Sequence, residues 1–416
     1  MKRRDFLRLS AFAGLAATAA PAVLAACGDD DDETPTPAAT TPAGTGTPTG
    51  TATAAVTAGP PEVKQLRVGY LPITDATPLL LAHANGYYEE AGLEVAKPTL
   101  FRSWPQIVEA FQARQVDVIH VLMPTAVFMR FGQRFPAKIV AWNHTDGSAL
   151  TVAKNVNTLD DLAGKTVGIP SYYSLHNVTL QILLRNAGLN PVLTGNASAA
   201  QRQVKLAVMA PPDMPPALAN NSIAAYIVAE PFNAVAEVND VGKIFRFTGD
   251  IWQNHACCVV VMHEDDIAQK PNWVQAAITS VARAQLFARE NRAEAARLLA
   301  REGGDYLPQP LPVIQRALTH YDKAEYGASG AIKHADWPSN RIDFQPFPFP
   351  SYTDQLVRFL RETAVEGDTA FLTALDAAAA HAQLVDDRFA RAAIDAAGGP
   401  AKFGLSALSR MEVVAP

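Results

Sequence analysis

KTVGIPSYYSLHNVTLQILLRNAGL, residues 165–189, is the stretch on which the fold turns. Its first six residues form a short apolar run ending at Pro170, which suits a buried strand. A polar turn follows, and then Leu175, Val178, Ile182 and Leu183 recur on one helical face. Ser174 stands where a helix N-cap belongs, and Gly188 stands where the helix should stop. A strand that feeds a helix through a short loop is half of a βαβ unit.

The same rhythm runs outward in both directions. Upstream, LRVGYLP (66–72) reads as a strand, LLLAHANGYYEEAGL (79–93) as a helix and LEVAKPTLF (93–101) as a second strand. QIVEAFQARQ (106–115) is helical, and VDVIHVLMP (116–124) and AKIVAWNH (137–144) are strands. Downstream, VKLAVMA, AAYIVAE (224–230) and KIFRFTG read as strands, with FNAVAEV as a helix between the last two. From about residue 271 the pattern turns helical; in WVQAAITSVARAQLF, Val274, Ala277, Ile278 and Val281 share a face. Alternation of this kind predicts largely parallel sheets covered on both faces. Because the rhythm restarts near residue 148, the expected fold is α/β with two lobes, an interlobe cleft and a helical C-terminal extension. The expected divisions are 62–147 for the first lobe, 148–248 for the second, and 249–416 for the return to the first lobe plus the extension.

In open α/β sheets, ligands bind beyond the carboxyl ends of strands, beside helix N-termini. Those positions hold Asp75 and Thr77, Trp104, Asn143 and His144 in the first lobe. The second lobe offers Tyr172, Tyr173, His176, Glu230, Phe232 and Asn233, and His255 follows on the return. The set taken as ligand-binding is Asp75, Thr77, Trp104, Tyr172, Tyr173, His176, Glu230, Phe232, Asn233 and His255.

The N-terminal segment bears on location. Arg3-Arg4-Asp5-Phe6-Leu7 matches the core of a twin-arginine export signal, and Leu24-Ala25-Ala26-Cys27 closes an apolar stretch as a lipoprotein cleavage box. Residues 1–26 are thus expected to be a signal peptide, with Cys27 the lipidated first residue of the mature chain. Residues 27–61 combine that cysteine with an acidic run and a Thr/Pro/Ala/Gly tract too poor in apolar residues to fold, which predicts a stalk. The whole chain has a formal net charge of −6, which lacks the basic footprint of a nucleic-acid binder.

Only two cysteines remain, in WQNHACCVVV (252–261). Read as a strand, this stretch sends successive side chains to opposite faces. Cys257 and Cys258 are then expected to be packing thiols that cannot share a metal with His255 and His263, with Cys258 the one nearer a cleft. No metal and no cofactor are expected.

Three blocks together resemble one family of periplasmic solute-binding proteins. They are LPITDATPLLLAHANGYYEEAGLEV, GIPSYYSLHNVTLQILLRNAGL, and MAPPDMPPALANNSIAAYIVAEPFNAVAEVNDVGKIFRFTGDIWQNH. The branch comprises ABC-importer receptors for nitrate, bicarbonate and alkanesulfonates, together with receptors for thiamine pyrimidine precursors and riboflavin. The resemblance implies a type II periplasmic-binding fold whose lobes close on a small molecule. It also implies permease and ATPase partners, and a monomer held by its lipid on the extracytoplasmic face of the cell membrane. Nitrate and bicarbonate receptors of this pattern carry a lysine three residues after the histidine of IW-x-x-H, whereas this chain has Cys258. Acidic and aromatic residues dominate the strand ends, so the expected ligand is a planar, largely neutral heterocycle, riboflavin before a thiamine pyrimidine precursor. The alternative is a small oxoanion or sulfonate. A reading of another class is an enzyme like the pyrimidine-precursor synthases that share the fold and combine histidine with cysteine-rich motifs. Export away from cytosolic phosphate cofactors favours binding over catalysis.

Overall fold

Alternating apolar runs and amphipathic helices assemble into two mixed sheets, seen in a computed structural model that describes residues 59–416. The expected signal peptide, Cys27 and the stalk up to residue 58 lie outside the described residues. The strands, in chain order, are β1 (Val68–Tyr70), β2 (Thr99–Leu100), β3 (Val118–Leu122), β4 (Ala137–Trp142), β5 (Thr145–Asp146), β6 (Ser148–Val152), β7 (Thr166–Ile169), β8 (Asn190–Val192), β9 (Gln203–Val208), β10 (Ala225–Ala229), β11 (Lys243–Phe247), β12 (Cys258–His263) and β13 (Ile342–Asp343). One sheet has the order β2-β1-β3-β12-β4 and the other β11-β6-β10-β7-β9-β8. A two-stranded ribbon, β13-β5, lies where the chain passes between them.

The helix of the opening stretch runs Leu175–Asn186, and Ser174 Oγ caps it by accepting from Asn177 N at 3.0 Å. Removing such a cap costs about 0.5–2 kcal/mol. Other boundaries are shorter than the pattern suggests. The run 79–93 breaks into Thr77–Ala84 and Tyr87–Glu90, because Gly86 adopts φ 71°, the left-handed region that stops a helix. LEVAKPTLF pairs as a strand only at Thr99–Leu100.

The largely parallel expectation needs correction at two strands. β6 runs antiparallel to β10 and β11, and β12 runs antiparallel to β3 and β4. These are the strands by which the chain enters each sheet from the other lobe. β3 ends at Leu122, and Leu122 is paired with Cys258, where β12 begins. Likewise β10 ends at Ala229 beside Ser148, where β6 begins. A strand that starts at the cleft must oppose strands that end there. The cleft is therefore lined by the C-terminal ends of parallel strands and by the N-terminal ends of the two crossing strands.

The C-terminal extension is helical as expected. The long helix Pro271–Glu290 buries Val274, Ala277, Ile278 and Val281 and packs on the helix Thr77–Ala84. FQPFPFPSY (344–352) crosses the edge of the first sheet, where Trp142 N donates to Pro346 O at 2.8 Å. Phe344, Phe347, Phe349 and Tyr352 are buried there, and Trp142 meets Phe349 and Tyr352 edge-on. No described helix is long and apolar enough to cross a membrane.

Candidate functional site

The two lobes touch across the cleft. Thr74 N donates to Glu230 O at 2.8 Å, and Thr125 Oγ1 donates to Tyr173 O at 2.7 Å. The Tyr173 ring lies on Phe128, with centroids 4.3 Å apart and an interplanar angle of 14°. Thr74, Thr125 and Phe128 belong to the first lobe, Tyr173 and Glu230 to the second.

Behind this closure sits a fully buried polar cluster. Asp75 follows β1, His144 follows β4, and Cys257 and Cys258 stand at the entrance to β12; one donor atom from each lies within 4.8 Å of every other. His144 Nε2 is 2.8 Å from Asp75 Oδ2, and Cys258 Sγ donates to the same oxygen at 3.2 Å. From the second lobe, His176 Nε2 lies 3.8 Å from Cys257 Sγ and 2.9 Å from Ser148 Oγ. His255 Nε2 meets Thr248 Oγ1 at 2.8 Å. Tyr352 OH donates to Ala256 O and so props the segment from the strap side.

The separation expected of the two thiols does not hold. Cys257 lies in a bend before β12 rather than in the strand, so period-two alternation does not reach it. Both sulfurs consequently face the same cluster. His263 is elsewhere; it closes the far end of β12 and stacks on Phe111 at 4.0 Å.

Burial and neighbouring charge set the protonation pattern. Burial raises Asp75 above the usual carboxylate range, opposed by the charge of His144. Burial would lower His144, yet the Asp75 charge and hydrogen bond outweigh it and bring that imidazole to about 10. Burial holds His120 and His255 neutral, each at about 3. Burial raises both thiols, but the hydrogen bond with Cys258 and the charge of His176 pull Cys257 well down. Burial, its bond with Cys257 and the nearby carboxylate push Cys258 up.

Several buried polar atoms have no partner among the described residues: Asp75 Oδ1, Thr77 Oγ1, Trp104 Nε1, Tyr173 OH, His176 Nδ1 and His255 Nδ1. Buried polar groups are nearly always satisfied, so each exception asks what satisfies it. These six belong to the residue set expected from the sequence, whereas His120 Nδ1, Asn143 Oδ1 and His144 Nδ1, outside that set, are likewise without a partner. The remaining four of that set are spent within the protein. Glu230 gives Oε1 to Arg341 and Oε2 to Ala234 N. Asn233 accepts from Thr151 and donates to Val228 O, and Phe232 is core. Tyr172 packs, half-buried, on the core of the second lobe. His144, Cys257 and Cys258 were not in the expected set, although His144 stands at the end of a strand-like run. Arg102 is exposed and lies 3.7 Å from Asp213, away from the cluster.

Residues 59–300 match the NMT1-like family. The chain belongs to that family. Among characterised relatives, the nitrate/nitrite binding protein NrtA of Nostoc sp. (strain PCC 7120) is 27% identical to this NMT1-like chain over 252 residues, 56% of this chain and 55% of that protein. The chain thus spans about half the length of that relative. The solved structure of the periplasmic nitrate-binding protein NrtA from Synechocystis PCC 6803 superposes with a TM-score of 0.68 at 19% identity, covering 85% of this chain and 94% of that one. The alkanesulfonate-binding protein SsuA from Xanthomonas axonopodis pv. citri, bound to MOPS, gives 0.54 at 18% identity over 79% and 96%. These two likenesses establish the periplasmic-binding fold.

Proposed function

We propose that this NMT1-like chain is the extracytoplasmic solute-binding component of an ABC importer, and that its cleft captures a small oxoanion or sulfonate. The observation that carries the reading is a set of buried donors with no partner among the described residues, Thr77 Oγ1, Trp104 Nε1 and Tyr173 OH, contributed by both lobes at their strand ends. A small anion bound by neutral hydroxyl and N–H groups would satisfy them without an unpaired cation. The buried arginines, Arg246 and Arg341, are already paired with Asp250 and with Glu230 and Glu237. The relatives named for nitrate and alkanesulfonate support the same choice.

The heterocycle reading, with riboflavin or a thiamine pyrimidine precursor as ligand, has less support. It needs free aromatic faces, whereas one face of Tyr173 is taken by Phe128 and Trp104 is already in edge-on contact with His120 at 5.7 Å. Tyr172 is turned to the core of the second lobe. In the proposed arrangement the segments 62–147 and 148–248 close on the solute. Cys27 anchors the monomeric receptor by lipid, and permease and ATPase subunits receive the cargo.

The test is a titration of the purified mature chain with nitrate, bicarbonate, an alkanesulfonate and riboflavin, followed by thermal shift and calorimetry. Saturable binding of one of the anions, with no response to riboflavin, is the expected result. Stoichiometric riboflavin binding without any anion response would overturn it.

A further inference from the structure

We propose that Asp75, His144, Cys257 and Cys258 form a binding site for one thiophilic divalent cation of the zinc type at the base of the cleft. Zinc bonds of about 2.0–2.3 Å in tetrahedral geometry put ligand atoms roughly 3.3–3.8 Å apart. The four donor atoms here are mutually within 4.8 Å, with pairs at 2.8 Å and 3.2 Å, so small side-chain shifts bring them onto one ion. Two sulfurs, an imidazole and a carboxylate are a borderline-soft donor set. That set selects zinc or cobalt over magnesium and calcium, which favour all-oxygen shells.

Burial strengthens the case. All four side chains have zero exposure, and Asp75 Oδ1 has no protein partner. In the metal-free cluster Asp75 Oδ2 is held by His144 and by the Cys258 thiol, and a shared cation would take the place of those contacts with direct bonds to the carboxylate, the imidazole and both sulfurs. All four ligands come from the first lobe, at strand ends that face the cleft, so the ion enters when the lobes part. His176, 3.8 Å from Cys257 Sγ, approaches the same centre from the second lobe.

Binding of a divalent ion requires the two thiols to release protons, giving two thiolates and a carboxylate against a double positive charge. The occupied centre is then net negative, so the cation does not serve as a charge anchor for an anionic solute. The cation proposal thus stands apart from the oxoanion reading.

The experiment strips the purified mature chain with chelator under reducing conditions and titrates it with cobalt alone. One equivalent should bind with a thiolate-to-cobalt charge-transfer band and the intense visible bands of tetrahedral cobalt, and zinc should displace it. Asp75→Asn should weaken cobalt binding at least tenfold, and C257S/C258S should abolish the charge-transfer band. Where the double variant fails to fold, native wild-type chain is alkylated with and without zinc. Protection of both thiols by one equivalent supports the site. Cobalt bound without a thiolate band, or thiols alkylated equally fast with and without zinc, overturns it. Anion titrations on the same stripped samples report separately on the solute reading.

Discussion

Arg341 Nε donates to Glu230 Oε1 at 2.7 Å, joining the C-terminal extension to the cleft edge of the second lobe across 111 residues of chain. Both groups are buried, and the same guanidinium reaches Glu237 at 2.7 Å. Burial raises Glu230 despite the arginine, so desolvation outweighs the attraction. Removing one partner is a different matter, because it strands a buried charge. Arg341→Ala should therefore destabilise the fold by about 3–5 kcal/mol. Urea unfolding measures it, and a loss under about 1 kcal/mol would show that Glu230 simply takes up a proton. The double variant E230Q/R341M should be more stable than R341A alone.

Glu237 supplies a pH signature in the same network. Burial would raise it, but hydrogen bonds from Arg316, Tyr326 and Arg341, together with the arginine charges, hold it at about 2. Its folded value lies below the unfolded one, so its contribution is complete above about pH 4.5 and fades as pH falls toward 2. Wild type should exceed Glu237→Gln in stability at pH 7, and the gap should narrow steadily below pH 4.5. A gap independent of pH would assign the effect to packing.

The lobe rhythm was legible because strand and helix periods are local. Val167, Ile169, Leu175 and Val178 declare it within a dozen residues, and the structure buries all four. The cluster was legible only in part. Asp75, His176 and His255 stand at strand ends that βαβ logic points to. Cys257 was misread because a bend of one residue before β12 defeats alternation, and nothing local announces that bend. The fate of Glu230 depended on Arg341, whose distance in sequence hides the pairing. Trp104 and Tyr173 stand at strand ends, whereas Phe232 is core and Tyr172 packs on the second lobe; which faces are already occupied is a property of packing, and one face of Tyr173 is covered by Phe128, a residue of the other lobe.

That stack makes closure testable. An offset aromatic pair contributes about 0.5–1.5 kcal/mol beyond its buried area. Phe128→Ala should favour the open form and weaken anion affinity by roughly threefold to tenfold, since 1.4 kcal/mol is about a factor of ten. Small-angle scattering should show a larger radius of gyration for the variant. Tyr173→Phe keeps the ring and removes the hydroxyl, so it should leave the shape unchanged while still lowering affinity. If Tyr173→Phe binds anions as wild type does, the hydroxyl faces no solute.

Thr77 offers the cleanest separation of stability from binding. It opens the helix Thr77–Ala84, its side chain is fully buried, and Oγ1 has no protein partner. An unsatisfied buried hydroxyl costs about 1–3 kcal/mol, and replacing it with an apolar group of the same shape removes that cost. Thr77→Val keeps the branched shape, so the solute-free protein should gain stability or at least lose none. The same change deletes a hydrogen bond to the bound anion, typically about 0.5–1.5 kcal/mol, or a severalfold loss of affinity. Thermal unfolding without solute and calorimetry with it separate the two effects. A variant less stable than wild type in the absence of solute would mean that the hydroxyl is already satisfied there, and Thr77 would leave the set of solute ligands.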